Sequence, residues 1–402
     1  MFSLPRMRLS FGSISQRIRD QLPTFHRRSY SIDQRGYDYL LTINEVKDFM
    51  TACIVNAGAD EQHASMLADV LIAADYRGHY SHGLNRLDMY INDLNGSFCK
   101  GSGVPTVLSD KAATAWVDGE NLLGPVVGNF CMDLAIQKAQ TAGVGWVVAK
   151  GSNHYGIAGH YAMQASAVGL LGMSFTNTSP LSFPTRSRQA TMGTNPLSLA
   201  APAVNNDSFV LDMATTTVAL GKIELADRKN EKIPTSWAAD NGGRETRDPK
   251  KVLQSGGLLP LGGTEITFNL KNVLNLAGYK GYGLATMVEV FCGILSGANY
   301  GKHIRRWKDS TKVANLGQCF VAIDPNAFAP GFPERMQDLM NDLRQSLSVE
   351  KDKPVLVAGD PEKAHMKYCD SLGGIPYHAN QITFMKEIGK RQNVPMPSIK
   401  KV

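Results

Sequence analysis

The sequence predicts an α+β protein, on three observations. Helical periodicity fills residues 42–94, short strand-like runs fill the middle, and Pro, Asn, Gly and Ser punctuate those runs, a spacing that favours antiparallel pairing. The 402 residues, 43 % hydrophobic and 19 % charged, suffice for a large core and allow two or three domains. The 38 glycines exceed the roughly 7 % background and lie scattered among apolar runs, which predicts many tight turns.

Val46, Phe49, Met50, Ile54 and Val55 recur at three- and four-residue spacing, predicting one helix after Thr42. A second is predicted from Asp60 through Met66, Leu67, Val70 and Leu71, and a third over 84–94. These make a helical lobe over 32–112, completed by about 305–402. Residues 113–118 and 144–149 read as strands with a helix, 127–141, between them. Further short strands are predicted at 170–176, 197–201 and 208–213, a long charged loop at 226–263, and a helix at 283–295, so that 113–304 form a second domain. A helix at 333–347 and a strand at 354–358 follow, and no internal repeat is visible.

Charge and cysteine usage exclude several classes. The net charge is +6, but residues 1–31 carry six arginines against Asp20, which leaves +1 for the rest. A nearly neutral body without a clustered basic face does not suit nucleic acid. The Arg- and Ser-rich first 31 residues, with Phe2, Leu4, Leu9, Phe11 and Ile14 among the arginines, have the composition of an organelle transit peptide, which predicts a mitochondrial location. The alternatives are a disordered tail and a cytoplasmic protein. No apolar run reaches the roughly 18 residues a membrane helix needs, since Glu289 interrupts the stretch around Phe291. Six cysteines far apart, with no C-x-x-C, predict buried thiols and no metal site.

Motifs for common chemistries are missing. There is no G-x-G-x-x-G: Gly143-Val144-Gly145 runs into a strand, and Gly281-Tyr282-Gly283 has Thr286 where the third glycine would stand. Neither a phosphate loop, H-E-x-x-H nor G-x-S-x-G occurs. Three constellations remain. Ser81-His82-Gly83 with Arg86 places a proton-transfer group four residues from a carboxylate-gripping one, on a helix expected to begin near Ser81. A helix start with Ser81 as cap would look the same. Gly151-Ser152-Asn153-His154-Tyr155-Gly156 is a polar turn leaving an apolar strand, either a site or a structural turn. Gly278-Tyr279-Lys280-Gly281-Tyr282-Gly283 heads a helix, where backbone N–H groups and Lys280 could hold a phosphate.

In this order, and together with Thr176-Asn177-Thr178-Ser179-Pro180, Gly193-Thr194-Asn195-Pro196, Leu211-Asp212-Met213-Ala214-Thr215 and Leu258-Leu259-Pro260-Leu261-Gly262-Gly263, these stretches resemble the malate/L-lactate dehydrogenase family over about 42–363. This is the type unrelated to Rossmann lactate dehydrogenases. The resemblance implies a non-Rossmann NAD(P)-binding domain (113–304) with a largely antiparallel sheet, plus a helical substrate and dimerisation lobe, in a homodimer. It implies a small-molecule substrate and hydride transfer between NAD(P) and a 2-hydroxy or 2-oxo acid, foremost malate and oxaloacetate; the choice between NAD and NADP stays open, with NAD slightly favoured. A cyclic imine or other 2-oxo acid is the alternative substrate, and a non-catalytic NAD(P)-binding dimer the alternative of another class. The resemblance makes His154 and His82 the acid/base residues, and Arg86 with Ser81 the substrate-binding ones. It assigns the cofactor to Thr176, Asn177, Thr178, Asp212, Met213, Ala214, Thr215, Tyr279, Lys280, Gly359, Asp360 and Pro361. A second family arginine is replaced here by Tyr90.

Overall fold

A computed structural model describes residues 36–264, 266–269, 272–275, 277–306 and 312–401. The transit segment predicted over 1–31 lies outside the described residues. Strand β1 (Tyr39–Leu41) leads into helix α1 (Ile43–Asn56), which starts at Thr42 because a capping box satisfies its first donors. The Thr42 hydroxyl accepts the Glu45 N–H at 3.3 Å while the Glu45 carboxylate takes the Thr42 N–H at 3.2 Å. Helix α2 (Glu61–Tyr76) begins where Asp60 accepts the His63 N–H at 2.7 Å. A 3-10 turn, Leu84–Arg86, precedes α3 (Leu87–Asn95). The periodic residues Val46, Phe49, Met50, Ile54, Leu67, Val70 and Leu71 are all buried, as their spacing requires, while Val55 faces outward.

The middle of the chain supplies β2 (Thr106–Asp110), β3 (Thr114–Asp118), α4 (Gly124–Ala142), β4 (Val144–Ser152), α5 (Gly159–Ala167), β5 (Leu171–Thr176), β6 (Leu197–Pro202) and β7 (Ser208–Met213). Gly143 ends α4 in the left-handed conformation, φ +80°, which lets the chain turn directly into β4. After them come α6 (Leu220–Arg228), β8 (Ala238–Ala239), α7 (Pro249–Ser255), β9 (Gly257–Leu258), the hairpin β10 (Ile266–Asn269) and β11 (Asn272–Asn275), and α8 (Gly278–Glu289), which continues into a π turn, Val290–Ile294. The chain finishes with β12 (Leu316–Ile323), α9 (Phe332–Gln345), α10 (Asp360–Leu372), β13 (Ile375–Tyr377), α11 (Ala379–Gln392) and β14 (Lys400–Lys401).

Seven strands form one sheet in the order β2-β3-β4-β12-β5-β6-β7. Every neighbouring pair is antiparallel except β3 and β4, which α4 joins as a crossover. The centre of the sheet is buried on both faces, while the edge strand β2 is exposed. Ala115, Val117, Val147, Ala149, Phe320 and Ala322 join the core of α1–α5, so the helical lobe and this face of the sheet share one interior. On the other face Val148, Phe175, Cys319 and Val321 pack under Val288 and Cys292 of α8 and the π turn. All six cysteines are buried free thiols. Among the described residues no helix is long and apolar enough to cross a membrane.

The structure corrects four sequence expectations. The stretch expected as a loop over 226–263 contains the end of α6, β8, α7 and β9, closed over a small core of Ile223, Ile233, Ala238, Val252 and Leu258. The strand expected at 354–358 is irregular; it meets β7 through one backbone bond, Val210 N–H to Ala358 O at 3.0 Å. The helix expected from Gly283 starts at Gly278, so the glycine-rich motif lies inside its first turns. His82 does not share a helix with Arg86, because Ser81, His82 and Gly83 form a turn before it. The central strand β12 was not expected. Covered on both faces, it reads as an apolar run without alternation, which periodicity does not separate from other buried segments.

Candidate active site

The candidate residues gather at one end of the sheet. Strands β4, β5 and β7 finish there, at Ser152, Thr176 and Met213, and β12 and β6 begin there, at Leu316 and Leu197. Loops leaving these ends carry the motifs, an arrangement in which a rigid sheet positions variable chemistry.

The turn after β4 holds His154. Gly156 has φ +82°, and a Cβ there would land on Val70 of α2, so only glycine lets the turn close against the helix. Asn153 accepts the His154 N–H at 2.8 Å, and its side-chain amide donates to Asp93 at 3.3 Å. Asp93 is itself ion-paired with Arg305 in the interior. Gln318 of β12 donates to Asn153 O at 2.9 Å and accepts from the Ser152 hydroxyl at 2.8 Å. The side chains of Ser152, Asn153 and Gln318 thus have partners, which fixes the backbone that carries the imidazole.

The His154 ring lies 6.1 Å, centroid to centroid, from that of His82 and nearly parallel to it. His82 Nδ1 is 2.9 Å from the Ser81 hydroxyl, and Arg86 Nε donates to Ser81 O at 2.6 Å, which folds the arginine back over its own turn. Beneath this turn lies Asp75, fully buried, which accepts the Leu84 N–H at 2.9 Å. Burial, with the positive charge of Arg86 adding, lowers the His82 pKa to about 3. Burial, then His82 and Arg86, push His154 well below the usual histidine range. Both imidazoles are thus neutral at pH 7, and two uncharged rings beside a guanidinium make a proton-accepting pair next to an anion site.

The remaining motifs form a second, contiguous cluster. Thr178 accepts the Thr194 N–H at 2.8 Å through its hydroxyl, and its own N–H reaches Asn195 Oδ1 at 3.0 Å. The Thr215 hydroxyl donates to Thr194 O at 2.9 Å, and Leu261 N–H donates to Thr215 O at 2.9 Å. Leu261, Gly262 and Gly263 pack backbone to backbone on Gly278 and Gly281, where a Cβ would strike the facing chain. Tyr279 is 53 % exposed, and Lys280 Nζ stands 6.0 Å from its ring. His154 and Thr178 line one cavity of about 20 Å³ with Asn153, Ser179 and Arg305, which connects the two clusters.

Other candidates sit deeper. Thr176 and Asn177 are buried, and Asn177 is spent on Glu289 at 3.1 Å, Asn299 O and Gly317 N–H. Glu289, which also receives the Asn195 amide at 3.1 Å, is a structural anchor of the loops that sequence reasoning missed, and it holds Asn195 of the Gly193-Thr194-Asn195-Pro196 stretch. Asp212 accepts the Gly159 N–H at 2.7 Å at the start of α5, beside Met213 and Ala214 at the end of β7. Gly359 packs on Val210, two residues before Asp212, and the Asp360 carboxylate next to Pro361 is gripped bidentately by Arg344 at 2.6 and 2.9 Å. A larger cavity of about 340 Å³ lies elsewhere, lined by Gly58, Ser97, Lys100 and Ser102, and holds none of these residues.

Comparison with known proteins gives a consistent result. The malate/L-lactate dehydrogenase family model matches residues 41–386. The chain is 36 % identical to a malate dehydrogenase of Pyrococcus abyssi over 87 % of its own length and 94 % of the relative's. It is 32 % identical to an Escherichia coli O157:H7 ureidoglycolate dehydrogenase (NAD(+)) over 72 % of this chain and 79 % of that one. The solved structure of a malate dehydrogenase from Pyrococcus horikoshii superposes with a TM-score of 0.80 at 34 % identity, covering 92 % of this chain and 99 % of that one.

Proposed function

Because the chain belongs to the malate/L-lactate dehydrogenase family, we propose that it transfers a hydride between a nicotinamide cofactor and a 2-hydroxy/2-oxo acid, with malate and oxaloacetate as the pair. The observation that carries this reading is the juxtaposition of two neutral imidazoles, 6.1 Å apart, with Arg86 close enough to depress both.

When bound, the nicotinamide supplies the hydride acceptor and donor. The start of α8 fits such a ligand: Tyr279 and Lys280 are exposed, and a Cβ at Gly283 would meet nothing within 4 Å, so the Lys280 ammonium and open space beside it are available to a pyrophosphate. Thr178, Asp212, Met213, Ala214 and Thr215 at the strand ends, with Thr176 and Asn177 holding the loop from beneath and Gly359 to Pro361 flanking β7, complete that assignment. Arg86 holds the substrate carboxylate and so orients the reacting carbon, with the Ser81 turn fixing the guanidinium. His154 takes the hydroxyl proton during oxidation and returns it during reduction, with His82 beside it. Burial is the main cause of the low His154 pKa, and a carboxylate at Arg86 offsets the lesser contribution of the guanidinium, which favours the protonated ring in the complex.

NAD as the preferred cofactor, a homodimer and a mitochondrial location belong to the same proposal; the Arg-rich start of the chain supports the last of these. The test is direct. Residues 32–402 are assayed for NADH and NADPH oxidation with oxaloacetate, pyruvate, 2-oxoglutarate, a sulfonated pyruvate and a cyclic imine. Oxidation driven best by oxaloacetate supports the reading, a preference for another member reassigns the substrate, and silence across the panel with retained nucleotide binding refutes catalysis of this class.

A further inference from the structure

Resting on that reading, we propose that Tyr90 is the positioning residue for proton transfer at His154: its hydroxyl holds Nδ1 so that Nε2 is the atom that exchanges a proton with substrate. The Tyr90 hydroxyl lies 2.5 Å from His154 Nδ1, and the two rings meet edge to face at 5.6 Å. Tyr90 is 2 % exposed, so the phenol has no freedom to swing into solvent. It stands on α3 three residues before Asp93, on the same face of the helix. One helix therefore holds the turn at two points, Asp93 through the Asn153 amide and Tyr90 through the His154 ring.

The direction of the contact follows from a second donor. Gly156 N–H also points at Nδ1, at 3.3 Å, and a backbone N–H only donates. A nitrogen facing two donors is most stable unprotonated, so in the resting enzyme Tyr90 donates to Nδ1 and the neutral ring carries its proton on Nε2. A hydroxyl, unlike a carboxylate or an amide N–H, is both donor and acceptor. When the ring takes a second proton from solvent, Nδ1–H donates to the phenolic oxygen and the contact survives. In reduction the hydride reaches the carbonyl carbon and the Nε2 proton passes to the carbonyl oxygen, leaving a neutral ring with its proton on Nδ1, held by the phenolic oxygen; oxidation starts from that Nδ1–H tautomer, reached from the resting form by proton exchange with solvent, and runs the same step backwards. A neutral phenol also adds no negative charge beside the ring, so unlike a carboxylate partner it leaves the pKa of His154 low.

Two measurements test this. In protein labelled with ¹⁵N-histidine, with the His154 signals assigned by comparison with His154→Gln, Nδ1 at neutral pH is expected to show the shift of an unprotonated accepting nitrogen and Nε2 that of an N–H. A protonated Nδ1 in the ligand-free enzyme overturns the proposal. This readout needs no substrate, so it stands apart from failure of the dehydrogenase reading, and no variant of Tyr90, so it survives a Tyr90→Phe that does not fold. In a folded Tyr90→Phe, kcat is expected to fall about tenfold with substrate KM and nucleotide affinity within about twofold, and the histidine signals to move toward a tautomer mixture. Unchanged kcat and unchanged signals overturn it.

Discussion

Asp75→Asn separates a charge effect from a packing effect at the base of the Ser81–His82–Gly83 turn. Asp75 Oδ2 accepts two hydrogen bonds, from Leu84 N–H and the Tyr377 hydroxyl, both at 2.9 Å, while Oδ1 is buried without a partner. Burial of the carboxylate, only partly offset by these bonds, raises its pKa from 3.8 to about 7. The unfolded chain therefore loses this proton near pH 4 while the folded protein keeps it to about pH 7. Through that window the native state binds more protons, so stability falls as pH rises and levels off above about pH 7. At about 1.36 kcal/mol per pKa unit the full loss is on the order of 4 kcal/mol. Asparagine keeps an acceptor for both donors, has the same shape and does not ionise. Urea unfolding of both proteins from pH 4.5 to 7.5 measures the difference between them, in which the other titrating groups cancel. That difference is expected to move in favour of Asp75→Asn by on the order of 3 kcal/mol across the range. A difference independent of pH would refute the reasoning, because it would mean that Asp75 titrates alike in both states.

Other perturbations address the site itself. His154→Gln is expected to lower kcat by about 10²- to 10⁴-fold while nucleotide binding, followed by NADH fluorescence, is retained; residual turnover near wild type removes it from proton transfer. Arg86→Lys is expected to raise the substrate KM by roughly tenfold or more, since a point charge loses the bidentate grip, and an unchanged KM contradicts the carboxylate role. Gly83→Ala puts a Cβ onto the Asp75 carboxylate, so the turn must shift and activity is expected to collapse; a fully active variant shows that the turn does not need this contact. Because burial and Arg86 hold His82 near 3 and His154 below its usual range, both rings stay neutral as pH falls through 6.5. For alcohol oxidation kcat/KM, corrected for substrate ionisation, is then expected to show no acid limb at an ordinary histidine pKa, and such a limb would count against it.

Much of the site was legible because its residues are local in sequence. Ser81, His82 and Arg86 lie within six positions, and Asn153 to Gly156 sit at the end of an apolar strand; glycines and a strand-to-turn transition mark such places without knowledge of the fold. The partners that aim these groups were not legible. Tyr90 meets His154 across 64 residues, and Asp93, Arg305 and Gln318 reach the same turn from α3, the segment before β12 and β12 itself. Asn177 illustrates the converse, because its place in a loop motif suggested ligand contact while its amide is committed to Glu289 and the backbone around it.

Hydrophobic spacing sufficed to set α1 and α2, the apolar runs of β4 to β7 and the mixed architecture, since each depends on which neighbours within a turn or a strand can share a buried face. The order of the sheet depended on more. β12, contributed late in the chain, lies between β4 and β5 and brings Gln318 against the base of the His154 turn. The neutral state of both imidazoles likewise required the packed interior, because desolvation and the field of Arg86 act through space and leave no mark on the order of residues.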